Sequence, residues 1–238
     1  MKIITAIVSA CLLMACEKAE VNQMNTTVTP VNIGTTHSYL ALGDSYTIGE
    51  AVEQNLTFPF QLAAKLGASG IVVSAPKVIA KTGWTTGELQ SAINAANLKG
   101  TYDIVTLLIG VNNQYRGMSS ESYRTEFKSL LQQAIAFAGG KKEHVFVVSI
   151  PDWGLTPYGA STGRDQSGIS AEIDTFNSIN KTETLAMGVN YTDITPGSRA
   201  VINDPALVAS DGLHPSGKMY GNWSDAMLPA VKAAFQQN

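Results

Sequence analysis

The sequence predicts an α/β protein: one five-stranded parallel sheet covered by helices on both faces, a three-layer α/β/α sandwich. Three observations predict it. From residue 38 onward, strand-length apolar segments alternate with longer segments of helical periodicity. The clearest strand segments are near-continuous apolar runs, as strands buried on both faces must be. Polar, glycine-bearing loops follow the strands, at the sheet edge where open α/β sheets place their ligands.

Residues 38–42 (Ser-Tyr-Leu-Ala-Leu) form the first strand, which Gly43-Asp44-Ser45-Tyr46-Thr47 ends abruptly. Apolar residues at helical spacing follow over 58–66. Residues 71–80 are β-branched and extended, and Pro76 marks this second strand as bent or at an edge. Residues 85–97 are amphipathic, with Thr85 and Glu88 placed for a capping box. The third strand spans 102–109. A long helix over 119–138 ends at Gly139-Gly140. The fourth strand, 145–150, is stopped by Pro151. A helix over 169–187, a short fifth strand over 189–194 and a final helix over 216–235 complete the series.

The 238 residues suffice for one domain with a sizeable core. The formal charge is −3, and no basic cluster stands out, so nucleic acid is excluded as a partner. At the N-terminus, Lys2 precedes an apolar run from Ile3 to Leu13 that is too short to span a bilayer, so residues 1–15 read as a signal peptide. Leu13-Met14-Ala15-Cys16 resembles the bacterial lipoprotein cleavage box. The expectation is therefore lipidation of Cys16, with acyl chains such as palmitate, and attachment to a membrane of the cell envelope. Ordinary signal cleavage near Ala15, giving a secreted protein, is the alternative. The only other cysteine, Cys11, lies in the signal, so the mature domain has no internal disulfide and no cysteine nucleophile. Residues 16–37 are polar, Thr/Asn-rich and aperiodic, and read as a tether of about 25 Å mean span. The domain proper then covers 38–238.

Four polar pieces fall at the carboxyl edge of the expected sheet: Gly43-Asp44-Ser45, Lys81-Thr82-Gly83-Trp84, Gly110-Val111-Asn112-Asn113 and Asp211-Gly212-Leu213-His214. A serine hydroxyl needs a base to become a nucleophile. His214 is the candidate base, because Asp211 three residues earlier can reach its ring, hold its tautomer and stabilise the imidazolium. His37 and His144 read as solvated or structural. Acyl transfer also needs donors for an oxyanion. The Ser45 and Gly83 N–H groups and the Asn112 amide are the candidates. Asp44 or Ser45 could instead merely cap a helix, and Asn112 could merely close a turn.

These blocks resemble the SGNH, or GDSL-type, hydrolase family over about residues 38–237. The resemblance implies the flavodoxin-like SGNH hydrolase fold, a Ser45–His214–Asp211 triad, an oxyanion hole of Ser45, Gly83 and Asn112, and no metal or cofactor. One departure is visible: the third block usually reads Gly-x-Asn-Asp, and here Asn113 replaces the Asp. The serine also lacks the Gly-x-Ser-x-Gly elbow of α/β-hydrolases.

The expected activity is serine-dependent hydrolysis of short-chain esters by a monomer, acting on a small-molecule or glycan ester such as an acetylated carbohydrate. Trp84, Asn113, Tyr115 and Trp153 are the candidate substrate-binding residues, flat aromatics mixed with polar groups. Lysophospholipase, thioesterase and acyltransferase activities share the nucleophile and are rival readings. A catalytically silent, glycan-binding surface lipoprotein is the rival from another class.

Overall fold

The computed structural model describes residues 35–236. The signal segment 1–15, the lipidation candidate Cys16 and the tether up to residue 34 lie outside the described residues. Five strands form one parallel sheet: β1 (Tyr39–Gly43), β2 (Lys77–Ala80), β3 (Ile104–Leu108), β4 (Val145–Val148) and β5 (Asn190–Thr192), in the order β2-β1-β3-β4-β5. β1, β3 and β4 are buried along their whole length. That burial is why their sequences are continuous apolar runs, and it fixes them as the centre of the sheet.

Nine α-helices are described: α1 (Ser45–Ile48), α2 (Phe58–Ala68), α3 (Thr86–Ala96), α4 (Val111–Tyr115), α5 (Ser120–Phe137), α6 (Pro157–Ser161), α7 (Gln166–Ala186), α8 (Thr195–Ser198) and α9 (Gly217–Ala234). β1 leads leftward to β2, and every later crossover runs the other way. Right-handed connections therefore place α2 on one face and α3, α5 and α7 on the other. α9 returns to pack along α2, while α5 packs against α3 and α7. Phe58, Leu62 and Leu66 of α2, Met227 and Val231 of α9, and Tyr123, Phe127 and Leu131 of α5 are all buried.

The expected fold stands, with local differences. The second strand is only four residues long, because Pro76 has no N–H to donate and residues 71–75 hold on to the sheet only through the bridge between His37 and Val73. That bridge also makes His37 part of the domain rather than the end of a tether. Its ring stacks near Phe235, as does that of buried His144, whose Nδ1 lies 2.6 Å from the Asp103 carbonyl. Both histidines are structural. The Thr85–Glu88 capping box is present at α3. Short helices α1, α4 and α8 follow strand ends within a few residues, and α6 lies farther along the loop after β4; all four are too short to register as periodicity.

The chain reverses its direction across the sheet between β1 and β3. That switch point opens a crevice at the carboxyl ends of these two strands. Gly43 sits at this corner, where a Cβ would meet Thr47 Oγ1 at 2.1 Å and the Leu108 carbonyl at 2.3 Å. Gly43→Ala should therefore cost about 3 kcal/mol, a fall in Tm of roughly 6–12 °C for a domain of this size. Gly67→Ala, with open space at its Cβ, serves as the control and should hold Tm nearly constant.

Candidate active site

Ser45 is the first residue of α1, separated from the end of β1 by Asp44 alone. Asp44 caps that helix, its Oδ1 accepting the Tyr46 N–H at 3.0 Å, and this bond sets the sharp turn that turns Ser45 off the strand. Ser45 lines a cavity of about 200 Å³ together with Gly83, Asn112 and His214. Tyr46, Thr82, Val111, Tyr115, Trp153, Tyr158 and Leu213 complete the lining. The four sequence blocks thus meet in one place, although they are up to 169 residues apart in the chain.

Asp211 and His214 are tightly paired. Asp211 Oδ2 lies 2.5 Å from His214 Nδ1, and Oδ1 accepts the N–H groups of Leu213 and His214, each at 2.9 Å. Partial burial alone would raise the Asp211 carboxyl, but these three hydrogen bonds outweigh it and hold the pKa below its ordinary value. With the Nδ1 proton directed at this carboxylate, Nε2 is left as the proton acceptor. The loop is closed at its base, where Ala209 N–H donates to the His214 carbonyl at 2.8 Å and Val208 bridges Pro215. The His214 ring also lies edge-on to Tyr46, centroids 5.7 Å apart. No hydrogen bond joins Ser45 directly to His214, a catalytic contact of the kind that is often long until substrate binds.

The candidate oxyanion donors are open. The Ser45 and Gly83 N–H groups donate to no backbone acceptor among the described residues. Gly83 has φ +88, a left-handed conformation that explains why this turn carries glycine. Arg116 Nη2 fixes the turn by donating to the Gly83 carbonyl at 2.6 Å. Asn112 Nδ2 donates to the Trp84 carbonyl at 3.0 Å, which occupies one of its two hydrogens and leaves the other for the cavity. Among the described residues, no group of three or more His, Cys, Asp or Glu is arranged to hold a metal ion.

Two candidate substrate residues do not reach the cavity. Asn113 is fully buried: its Oδ1 accepts the Thr86 N–H at 3.0 Å and its Nδ2 donates to Thr86 Oγ1 at 2.7 Å. It ties α4 to the start of α3, donating to Thr86 Oγ1 while that hydroxyl itself donates to Glu126. Trp84 lines a separate surface groove with Glu88 and Arg116, and contributes only its carbonyl to the site. Both were marked by sequence proximity to Gly83 and Asn112, but one-residue steps along a turn or helix point side chains in different directions. Tyr115 and Trp153 do line the cavity, and Trp153, only 2% exposed, is a wall rather than a free platform. Tyr158 was missed; its only signal was its place in the loop after strand four.

A family model described as GDSL-like Lipase/Acylhydrolase matches residues 41–221. Among curated proteins, none matches the sequence. Solved structures with the same fold include a lipase/acylhydrolase from Enterococcus faecalis (20% identity, TM-score 0.65, 83% of this chain and 96% of the other). An acetylxylan esterase from Geobacillus stearothermophilus aligns over 84% of this chain and 95% of its own, at 17% identity and TM-score 0.64. A psychrotrophic esterase from a Pseudoalteromonas species, solved inhibited by monoethylphosphonate, aligns over 85% of this chain and 100% of its own, at 17% identity and TM-score 0.62.

Asp44 differs sharply from Asp211. It is fully buried, its Oδ2 has no hydrogen-bond partner, and burial pushes its pKa up to about 7. The folded state thus holds this proton more tightly than the unfolded chain, where the carboxyl titrates near 4. The resulting stability is full below about pH 4 and is lost as pH rises through about 7. Asp44→Asn keeps a capping oxygen and cannot ionise, so thermal unfolding between pH 5 and 8 should show a flatter pH dependence than the parent. An unchanged slope would assign the titration to another group.

Proposed function

The chain belongs to the GDSL-like lipase/acylhydrolase family, and from that premise we propose a serine esterase that works through an acyl-enzyme on Ser45. The observation that carries the reading is that Ser45, the Asp211-paired His214 and the open donors of Gly83 and Asn112 share one cavity. His214 Nε2 takes the Ser45 proton as Oγ attacks the ester carbonyl. The developing oxyanion is held by the Ser45 and Gly83 N–H groups and the Asn112 amide. Collapse expels the alcohol, which leaves with the proton from His214. Water then attacks the acyl-enzyme with His214 again as base, the Ser45 Oγ–acyl bond breaks, and the proton on His214 returns to Oγ as the acid is released. Asp211 holds the ring and stabilises the imidazolium in both half-reactions.

The substrate we assign is a short acyl group, acetyl to butyryl, on a carbohydrate alcohol. A cavity of about 200 Å³ is small beside the roughly 300–1,000 Å³ of common ligand sites. Its lining includes the aromatic rings of Tyr115, Trp153 and Tyr158, which suit a polyhydroxylated alcohol or a short acyl chain better than a long one. The same acylated-carbohydrate class is the one named for the acetylxylan esterase of similar fold. Cys16 is assigned as the lipid anchor that holds the enzyme at the cell envelope.

Stoichiometric labelling of Ser45 by a serine-reactive phosphonate tests catalysis against a silent binding role, and an unlabelled, folded protein would favour the binder. Ser45→Ala should lower ester hydrolysis by at least about 10³-fold with Tm nearly unchanged. Asn112→Ala should lower kcat by roughly 10²–10³, the usual loss for one oxyanion donor. For the anchor, Cys16→Ser should move the protein out of the membrane fraction or leave it as unprocessed precursor; an unchanged N-terminal mass would favour plain secretion.

A further inference from the structure

Tyr115 lines two spaces: the catalytic cavity, and a groove of about 540 Å³ lined also by Arg164, Glu172 and Phe176 among others. It is the one residue that lines both. The ring is pinned although it is 47% exposed. Its hydroxyl bonds the Tyr158 hydroxyl at 3.0 Å, and its edge meets Trp153 with centroids 5.3 Å apart.

Each of these supports is itself fixed. Trp153 Nε1 donates to Gln114 Oε1 at 2.8 Å, and the Arg164 guanidinium lies over the Trp153 ring at 5.3 Å. The Tyr158 N–H donates to the Gly212 carbonyl at 2.9 Å, which ties α6 to the loop that carries Asp211 and His214. The two tyrosines therefore form a hydroxyl clasp between the helix after β3 and the helix after β4.

Chemistry decides what this clasp faces. In the tetrahedral adduct the carbonyl oxygen points to the Gly83 and Asn112 donors, and the departing alcohol must lie against His214 Nε2 to receive its proton. The acyl substituent takes the direction that these two leave, and the apolar and aromatic side chains lining the cavity include Val111, Tyr115 and Trp153. We propose that Tyr115, clasped by Tyr158, is the partition that limits acyl chain length by closing the catalytic cavity off from the neighbouring groove. The proposal rests on the esterase reading and adds to it the residues that set the limit.

The test is kcat/KM for p-nitrophenyl acetate through decanoate, with the leaving group constant, in the parent, Tyr115→Ala and Tyr158→Phe. One methylene in an apolar pocket is worth about tenfold or more in discrimination. Tyr115→Ala should accordingly raise the octanoate-to-acetate ratio by about tenfold or more, and Tyr158→Phe, which keeps its ring but loses the clasp, by a smaller factor. Tyr115 is half-exposed, so its truncation should leave the fold intact, and the conservative Tyr158 variant gives a second reading. A ratio within about twofold of the parent in Tyr115→Ala overturns the partition, as does a change confined to a series of acetates with differing alcohols. A parent enzyme that already favours octanoate would instead sink the short-chain assignment, and the ratios would still judge the partition separately.

Discussion

The parallel pairing of β1 with β3, in register from Tyr39 opposite Ile104 to Gly43 opposite Leu108, is the contact on which the site depends. Both strands are buried on both faces, so a slip in register would force side chains on each face to repack and leave backbone groups unpaired at the strand ends. The register brings the ends of the two strands level. Ser45 then emerges two residues beyond Gly43, and Asn112 four residues beyond Leu108, at the same crevice. Glycine is required at both corners. Gly43 abuts the Leu108 carbonyl, and at Gly110, with φ +128, a Cβ would meet the Tyr123 hydroxyl at 2.3 Å. That hydroxyl is already committed to the Ile109 carbonyl and Asn180.

Around this rigid corner, the two carboxylates nearest the chemistry are placed in opposite environments. Asp211 is partly open and accepts three hydrogen bonds, which favours its charged form and lets it face an imidazolium. Asp44 is fully buried, accepts one backbone hydrogen bond at the helix start, and is pushed by burial toward its neutral form. One residue type thus does two jobs. The difference lies in burial and donor count rather than in sequence neighbourhood.

The loops that bear the donors are braced from outside the site. Arg116 holds the Gly83 carbonyl, and Asn112 holds the Trp84 carbonyl. Asn113 joins α4 to the N-terminus of α3 through Thr86. The amide at 113 fits this role because it donates and accepts at once, whereas a carboxylate only accepts. Asn113, where the block usually carries Asp, thus braces the two helices, with Asn112 still at the cavity.

The sequence alone determined the alternation of strands and helices, the buried central strands and the four polar blocks at one sheet edge. Each is written locally, as an apolar run, a helical period or a glycine at a strand end. It also marked Ser45, Asp211 and His214, because a nucleophile, base and orienting acid have few alternatives among three histidines. Tertiary structure alone decided which neighbours of those blocks face the cavity. Asn113 and Trp84 turned away, whereas Tyr158 came in from α6 through a hydrogen bond to Gly212. It also decided the shortness of β2 and the neutral tendency of Asp44. Side-chain direction and burial depend on packing between segments far apart in the chain, and no local pattern carries that information.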